Sequence, residues 1–171
     1  MDFFDVVENR HSIRAFKDQE VGEEKLQKIL AAVNSAPSAH NLQSYEIVLI
    51  RDKDQKNALS AASRNQSFVA EAPVVLVFCA NPNRNTRDPS RGSSLYCIQD
   101  ATIAAAYAQL AATALGLSSV WIGAFDDEAV SSVINASDTK PVAIIPIGYP
   151  AEEPRKTERR SIDELVHEEK L

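Results

Sequence analysis

The sequence predicts an α+β domain in which helices cover a central sheet in three layers. Three observations carry this expectation. Residues Glu23–Asn34 place Leu26, Ile29, Leu30 and Val33 on one helical stripe. Val74–Ala80 is an unbroken apolar run rich in β-branched residues, held between Pro73 and the turn Asn81-Pro82, as expected of a buried strand. Further helical and strand-like segments follow in alternation, which is the pattern of a sheet packed on helices.

The elements follow in order. Asp2 is the predicted N-cap of a first helix that turns Phe3, Val6 and Val7 inward and stops near Asn9. A short basic segment, Arg10–Phe16, comes next. The second helix, Glu23–Asn34, is closed by Pro37. Tyr45–Ile50 reads as a strand, Asp52 to about Ala62 as a polar helix, and Val74–Ala80 as the buried strand. Asn81–Ser94 carries proline and glycine breakers and reads as a mobile loop.

Cys97–Leu115 is the longest predicted helix, with Gly116 at its C′ position. The eight alanines between Asp100 and Ala114 give it strong propensity and a thin surface that another helix or a flat ligand can approach closely. Ser119–Ile122 and Val142–Ile147 are further strands. Between them Asp126 caps a short helix with Ala129, Val130 and Val133 inward. Ser161 and Glu164 form a capping-box pattern for a last turn bearing Ile162, Leu165 and Val166. No repeat, linker or composition break divides the chain, so residues 1–171 are expected to form a single domain.

Composition removes several function classes. The chain has 171 residues, 44% of them hydrophobic and 25% charged, which argues against wholesale disorder. A net charge of −6 disfavours a general nucleic-acid binder. The five glycines cannot build a dinucleotide fingerprint, a phosphate-binding P-loop or a nucleophile elbow. The three histidines form no zinc-hydrolase motif, and Cys79 and Cys97 are expected to be buried reduced thiols, so no metal site is predicted. No apolar run reaches the roughly 20 residues that span a bilayer. The N-terminus lacks the features of a secretory signal, so a cytoplasmic address without a membrane partner is expected.

Four polar clusters lie at element ends. Arg10, His11, Ser12 and Arg14 put two guanidiniums and a hydroxyl within five residues, a natural phosphate cradle that can equally be a solvated basic turn. Pro37-Ser38-Ala39-His40-Asn41-Leu42-Gln43 offers amides that both donate and accept, as the edge of a heterocycle requires, although serine and asparagine also serve turns. Trp121-Ile122-Gly123-Ala124-Phe125 ends a strand with small residues whose backbone a planar ring can reach. Arg155–Arg160 is a late basic cluster or a solvated tail.

In this combination and order the clusters resemble the nitroreductase family of FMN-dependent oxidoreductases, over residues 1–168. The resemblance rests on Arg10–Phe16, Ala36–Gln43, Ala72–Val75, Gln99–Ala101, Ala114–Leu117, Trp121–Phe125 and Pro146–Pro150. It implies a three-layer α-β-α fold with a mixed, mainly antiparallel sheet, a long central alanine-rich helix and an intertwined homodimer. One FMN would lie at each subunit interface. On this pattern Arg10, Ser12 and Arg14 hold the phosphate and ribityl end, and Arg159 or Arg160 completes the phosphate clamp. His11 contributes near the flavin. Pro37, Ser38, Ala39 and Asn41 line the isoalloxazine from the partner chain, and Asn65 reaches its pyrimidine edge. Gly123 presents its N–H to flavin N5 between Ile122 and Ala124.

Three departures bear on substrate shape rather than on FMN. His40 stands where many members have a small residue, Ser44-Tyr45 replaces a common Pro-Trp, and Ser118 replaces a glycine. The short 81–94 loop marks a compact member. The resemblance further implies hydride transfer from NADH or NADPH, then electron transfer to a nitroaromatic, a quinone or a similar acceptor in ping-pong order, with no obligatory side-chain acid or base. A dehalogenase-like or flavin-consuming branch and a flavin-binding module without turnover are the competing readings. Ala101, Ala104, Ala105, Ala108, Ala111 and Ala112 are expected to meet a partner helix, with Ala105 and Ala108 at the dimer contact.

Overall fold

The computed structural model describes residues 1–88, 90–155 and 157–171. Pro89 of the predicted loop and Lys156 of the late basic cluster lie outside the described residues.

Seven helices and four strands follow the predicted order among these residues. They are α1 (Phe3–Asn9), α2 (Glu23–Asn34), β1 (Tyr45–Ile50), α3 (Lys53–Ala62), α4 (Phe68–Glu71), β2 (Val74–Ala80), α5 (Cys97–Ala114), β3 (Ser118–Ser119), α6 (Asp127–Val133), β4 (Lys140–Gly148) and α7 (Ile162–Leu165). The sheet order is β1-β2-β4-β3 and every strand pair is antiparallel. The parallel component is a single bridge between Ser12 and Ser119.

Side-chain alternation along β2 builds both helical layers. Val74, Leu76 and Phe78 enter a core shared with Leu26, Ile29 and Val33 of α2 and the alanines of α5. Val75, Val77 and Cys79 enter a second core with Leu59 of α3, Val69 of α4 and Val130 of α6. Every residue of β2 is therefore buried, as a central strand covered on both faces requires.

Capping follows the sequence closely. Asp2, Asp52, Asp126 and Ser161 each accept a backbone N–H at a helix start, with full capping boxes on α1 and α7. Gly116, at φ +71°, ends α5 in a Schellman turn: its N–H reaches Thr113 O and Leu117 N–H reaches Ala112 O. Lys25 Nζ donates to Leu115 O at 2.8 Å and lies 5.0 Å from the Tyr149 ring centroid, tying α2 to the end of α5.

Five expectations are corrected. In α1 only Val6 is buried; Phe3 and Val7 are 65% and 47% exposed, because the helix stands outside the sheet and packs mainly on α5. The strand expected at 119–122 is Ser118–Ser119, followed by one bridge from Ile122 to Ile144. The outer edge of β3 is taken by Ile13, whose N–H donates to Ser119 O. Strand β4 is longer than expected, from Lys140 to Gly148, and absorbs Pro141 beside a bulge at Val142, which the register skips opposite Phe78 and Cys79. The expected loop ends before Gly92, where a π-helical turn, Gly92–Tyr96, runs into α5. Finally, Ala101, Ala104, Ala105, Ala108 and Ala112 are fully buried against this chain's own sheet and α2. Ala105 and Ala108 thus belong to the core; the free face of α5 carries Thr102, Ala106 and Tyr107.

Candidate functional site

The basic segment 10–14 is laid along the sheet edge. Arg10 closes α1, its N–H donating to Val6 O. Ile13 is buried, and Ser12 bridges Ser119. Alternation leaves Arg14 exposed and Ser12 half-buried beside β3. His11 Nδ1 lies 3.0 Å from Asn9 O, so that nitrogen carries the proton. The segment then pairs with the chain beyond β4: Lys17 N–H donates to Tyr149 O, Ala151 N–H to Ala15 O, and Arg14 N–H to the Glu152 carboxylate. Gly148 permits this approach, since a Cβ there would lie 2.6 Å from Pro73 Cδ and 3.0 Å from Phe16 Cδ1. A cleft of ≈ 490 Å³ opens beside it, lined by His11, Lys17, Thr113, Ser118 and Glu152.

The same edge carries Ile122, Gly123 and Ala124. Ile122 is buried and exchanges both backbone hydrogen bonds with Ile144. Gly123 and Ala124 are exposed, and Gly123 N–H has no hydrogen-bond partner among the described residues. Asp126 N–H donates to Ala62 O, joining the start of α6 to the end of α3. That bond brings the exposed turn at Arg64 and Asn65, both left-handed, into the neighbourhood of residues 122–124.

Residues 37–44 form a separate wall beside the first turn of α5. Asp100 Oδ1 accepts from Ala39 N–H at 2.9 Å and Oδ2 from Ser44 N–H at 3.3 Å. Ser38 Oγ accepts from Gln43 N–H, and Gln43 Nε2 donates to Asn41 Oδ1. Pro37 and Asn41 are exposed; Ser38 and Ala39 are half-buried. Burial, and then the charge of Asp100, hold the Tyr45 phenol above its usual range. A cleft of ≈ 520 Å³ borders this wall, lined by Pro37, Ser38, Ala39, Tyr96 and Ile103.

The two walls do not meet within one chain. Gln109 Nε2 donates to Ser119 Oγ, which sets the 10–14 segment level with Gln109. Nine residues of α5 separate Gln109 from Asp100, about 14 Å along the axis. Arg159 and Arg160 are exposed in the C-terminal tail, where Arg160 Nη2 donates to Glu164 O; neither bonds to the 10–14 segment. Sequence reasoning missed Glu152 and the role of Asp100. The burial of Asp100 shows only in the folded chain, where it lies four residues before Ala104 on the buried stripe Ala104–Ala108–Ala112. No cluster of three metal-ligating side chains occurs among the described residues, and no helix there is long and apolar enough to cross a membrane.

Known proteins resemble this chain in sequence and in fold. A match to the nitroreductase family covers residues 7–67 and 60–149. An FMN reductase (NAD(P)H) of Bacillus subtilis is 32% identical over 176 residues, spanning 94% of this chain and 71% of that protein. An oxygen-insensitive NADPH nitroreductase of Salmonella typhimurium is 31% identical over 166 residues, spanning 92% and 69%. The solved structure of an NADPH:FMN oxidoreductase from Vibrio harveyi, complexed with NAD+, superimposes with a TM-score of 0.91 at 27% identity, covering 99% of this chain and 77% of that one.

Proposed function

The chain belongs to the nitroreductase family, and on that premise we propose that it is an FMN-dependent oxidoreductase working as a homodimer. Bound FMN would supply the redox chemistry between NADH or NADPH and a nitroaromatic, quinone or similar small acceptor, the two substrates exchanging in ping-pong order.

The observation that carries this reading is the donor set along the β3 edge. The guanidiniums of Arg10 and Arg14 have no ion-pair partner among the described residues. With the Ser12 hydroxyl they suit a terminal phosphomonoester. Further along the same edge the free N–H of exposed Gly123 suits a ring-nitrogen acceptor. Ile122 and Ala124 flank it, Asn65 would supply an amide for the ring's polar edge, and His11 would contribute beside Arg10 and Ser12. These residues fit FMN: they offer charge for one phosphate and no pyrophosphate loop. The charges of Arg10 and Arg14 and the backbone N–H of Gly123 would favour negative charge on the bound group, and no side-chain acid or base is assigned.

The partner chain would supply Pro37, Ser38, Ala39 and Asn41, which stand too far along α5 to reach the edge of their own chain. Uncovered apolar side chains support such a partner. Phe3, Phe4 and Val7 on α1 and Ile162, Leu165 and Val166 on the tail are all exposed. Arg159 or Arg160 of that tail would complete the phosphate clamp. The test is direct: the purified protein is examined for flavin, and NAD(P)H oxidation is followed at varied quinone or nitroaromatic concentration. Releasable FMN and parallel double-reciprocal lines are expected. Stoichiometric FAD, or a colourless protein without NAD(P)H oxidation, overturns the reading.

A further inference from the structure

We propose that Asp100 is a positioning residue for the flavin-facing wall: its buried carboxylate clamps both ends of segment 39–44 and fixes the strained turn between them. The inference rests on the reading of Pro37–Asn41 as part of the FMN site.

Asp100 is 2% exposed, and no cation pairs with it among the described residues. A carboxylate in such a place is costly unless it is hydrogen-bonded. Its partners are two backbone amides five residues apart, Ala39 N–H on Oδ1 and Ser44 N–H on Oδ2.

Between the two anchors the chain is in conformations that L-residues avoid. His40, Asn41 and Gln43 have φ of 54°, 57° and 42°. Such a stretch persists only where its surroundings over-determine it. The bond from Gln43 N–H to Ser38 Oγ closes the turn on itself, while among the described residues the Asp100 carboxylate makes the hydrogen bonds that tie it to α5. With both oxygens engaged, Ser38 and Ala39 stand at the rim of the cleft shared with Tyr96 and Ile103. A buried charge serves here because one carboxylate accepts two N–H groups at once; an amide of the same size has a single acceptor oxygen.

Asp100→Asn therefore undoes half of the clamp at constant volume. The experiment measures amide hydrogen exchange at Ala39 and Ser44 in the flavin-free full-length protein, then FMN affinity and the visible circular dichroism of bound flavin. We expect exchange at one or both amides to rise at least tenfold while β2 amides keep their protection. FMN affinity should fall about tenfold, with an altered flavin dichroism. Unchanged exchange at both amides overturns the clamp. Faster exchange with unchanged FMN affinity and dichroism overturns the positioning role. Wild-type protein that binds no FMN at all defeats the flavin reading, while the exchange arm still reports on the clamp.

Should the variant not fold, Ala39→Pro deletes the Ala39 bond from the donor side. Ser38, at ψ 157°, already has the extended backbone that precedes a proline, and Ala39 opens a 3₁₀ turn. The same gain in exchange at Ser44 and the same loss of FMN affinity are expected. Wild-type values for both overturn the proposal.

Discussion

The backbone N–H of Arg14 donates to the carboxylate of Glu152, 138 residues away in sequence. This contact sets a negative charge at the end of the segment that carries Arg10 and Arg14. A phosphate dianion arriving there meets two guanidiniums and one opposing carboxylate. Glu152→Gln keeps an acceptor for the Arg14 amide and removes the charge. FMN affinity should rise several-fold at low salt, with the gain shrinking as ionic strength approaches 0.15 M and beyond. Isothermal titration of flavin-free protein at two salt concentrations checks this. Equal or weaker binding by the variant would place the phosphate away from Arg14.

Removing the guanidiniums should act in the opposite sense. Arg10→Ala and Arg14→Ala should each weaken FMN binding by about 1.5–3 kcal/mol, the scale of a hydrogen bond to a charged group. Riboflavin, which lacks the phosphate, should lose far less affinity in either variant. Equilibrium dialysis with both flavins gives the answer, and equal losses for the two would show that the arginines act on folding rather than on the phosphate.

Much of this arrangement was legible in the sequence because local signals and the fold agree. Asp2, Asp52 and Asp126 cap the predicted helices, and β1 and β2 begin and end where the apolar runs do. The failures occur where non-local pairing decides. Ser119–Ile122 has strand composition, yet its pairing with β4 is regular only at Ser118–Ser119 and returns as a single bridge at Ile122, opposite Ile144. The alanines of α5 gave no periodic stripe, and which of them faced inward depended on the position of the sheet. At the site, the basic segment and the glycine were visible as residue types. The Asp100 clamp spans 61 residues of sequence and was hidden until the chain was folded.

The Cys79 thiol is buried in the second core and pushed up to about 11, chiefly by burial. An acid whose pKa is raised on folding binds its proton more tightly in the native state. Its stabilising contribution is therefore complete below about pH 9 and lost as pH rises towards 11. Stability in urea should decline over that window, and Cys79→Ala should flatten the decline. A thiol reagent at pH 8 should leave Cys79 unmodified until the protein unfolds. Mass-spectrometric mapping of rapid modification in the native protein would contradict this.

The last prediction separates the core of one chain from the surface between two. Ala105 has no exposure, so Ala105→Glu buries an unpaired charge in the first core and should prevent folding outright. Phe4 is 79% exposed and packs edge-on against Phe3, also exposed, with ring centroids 5.6 Å apart. Tyr107, on the free face of α5, is 37% exposed. Within a single chain, Phe4→Glu and Tyr107→Glu disturb almost nothing, and surface changes of this kind usually alter stability by no more than about 0.5 kcal/mol. At a permanent subunit interface of some 2,000 Å² or more, the same changes desolvate a charge against apolar surface. The variants should therefore fold with the wild-type far-UV spectrum, yet run as monomers in light scattering at micromolar concentration. If each flavin takes one wall from each chain, as proposed, FMN occupancy should fall with the dimer by mass action. A Phe4→Glu, Tyr107→Glu double variant that is monomeric and still fully loaded with FMN would show that one chain closes the site alone.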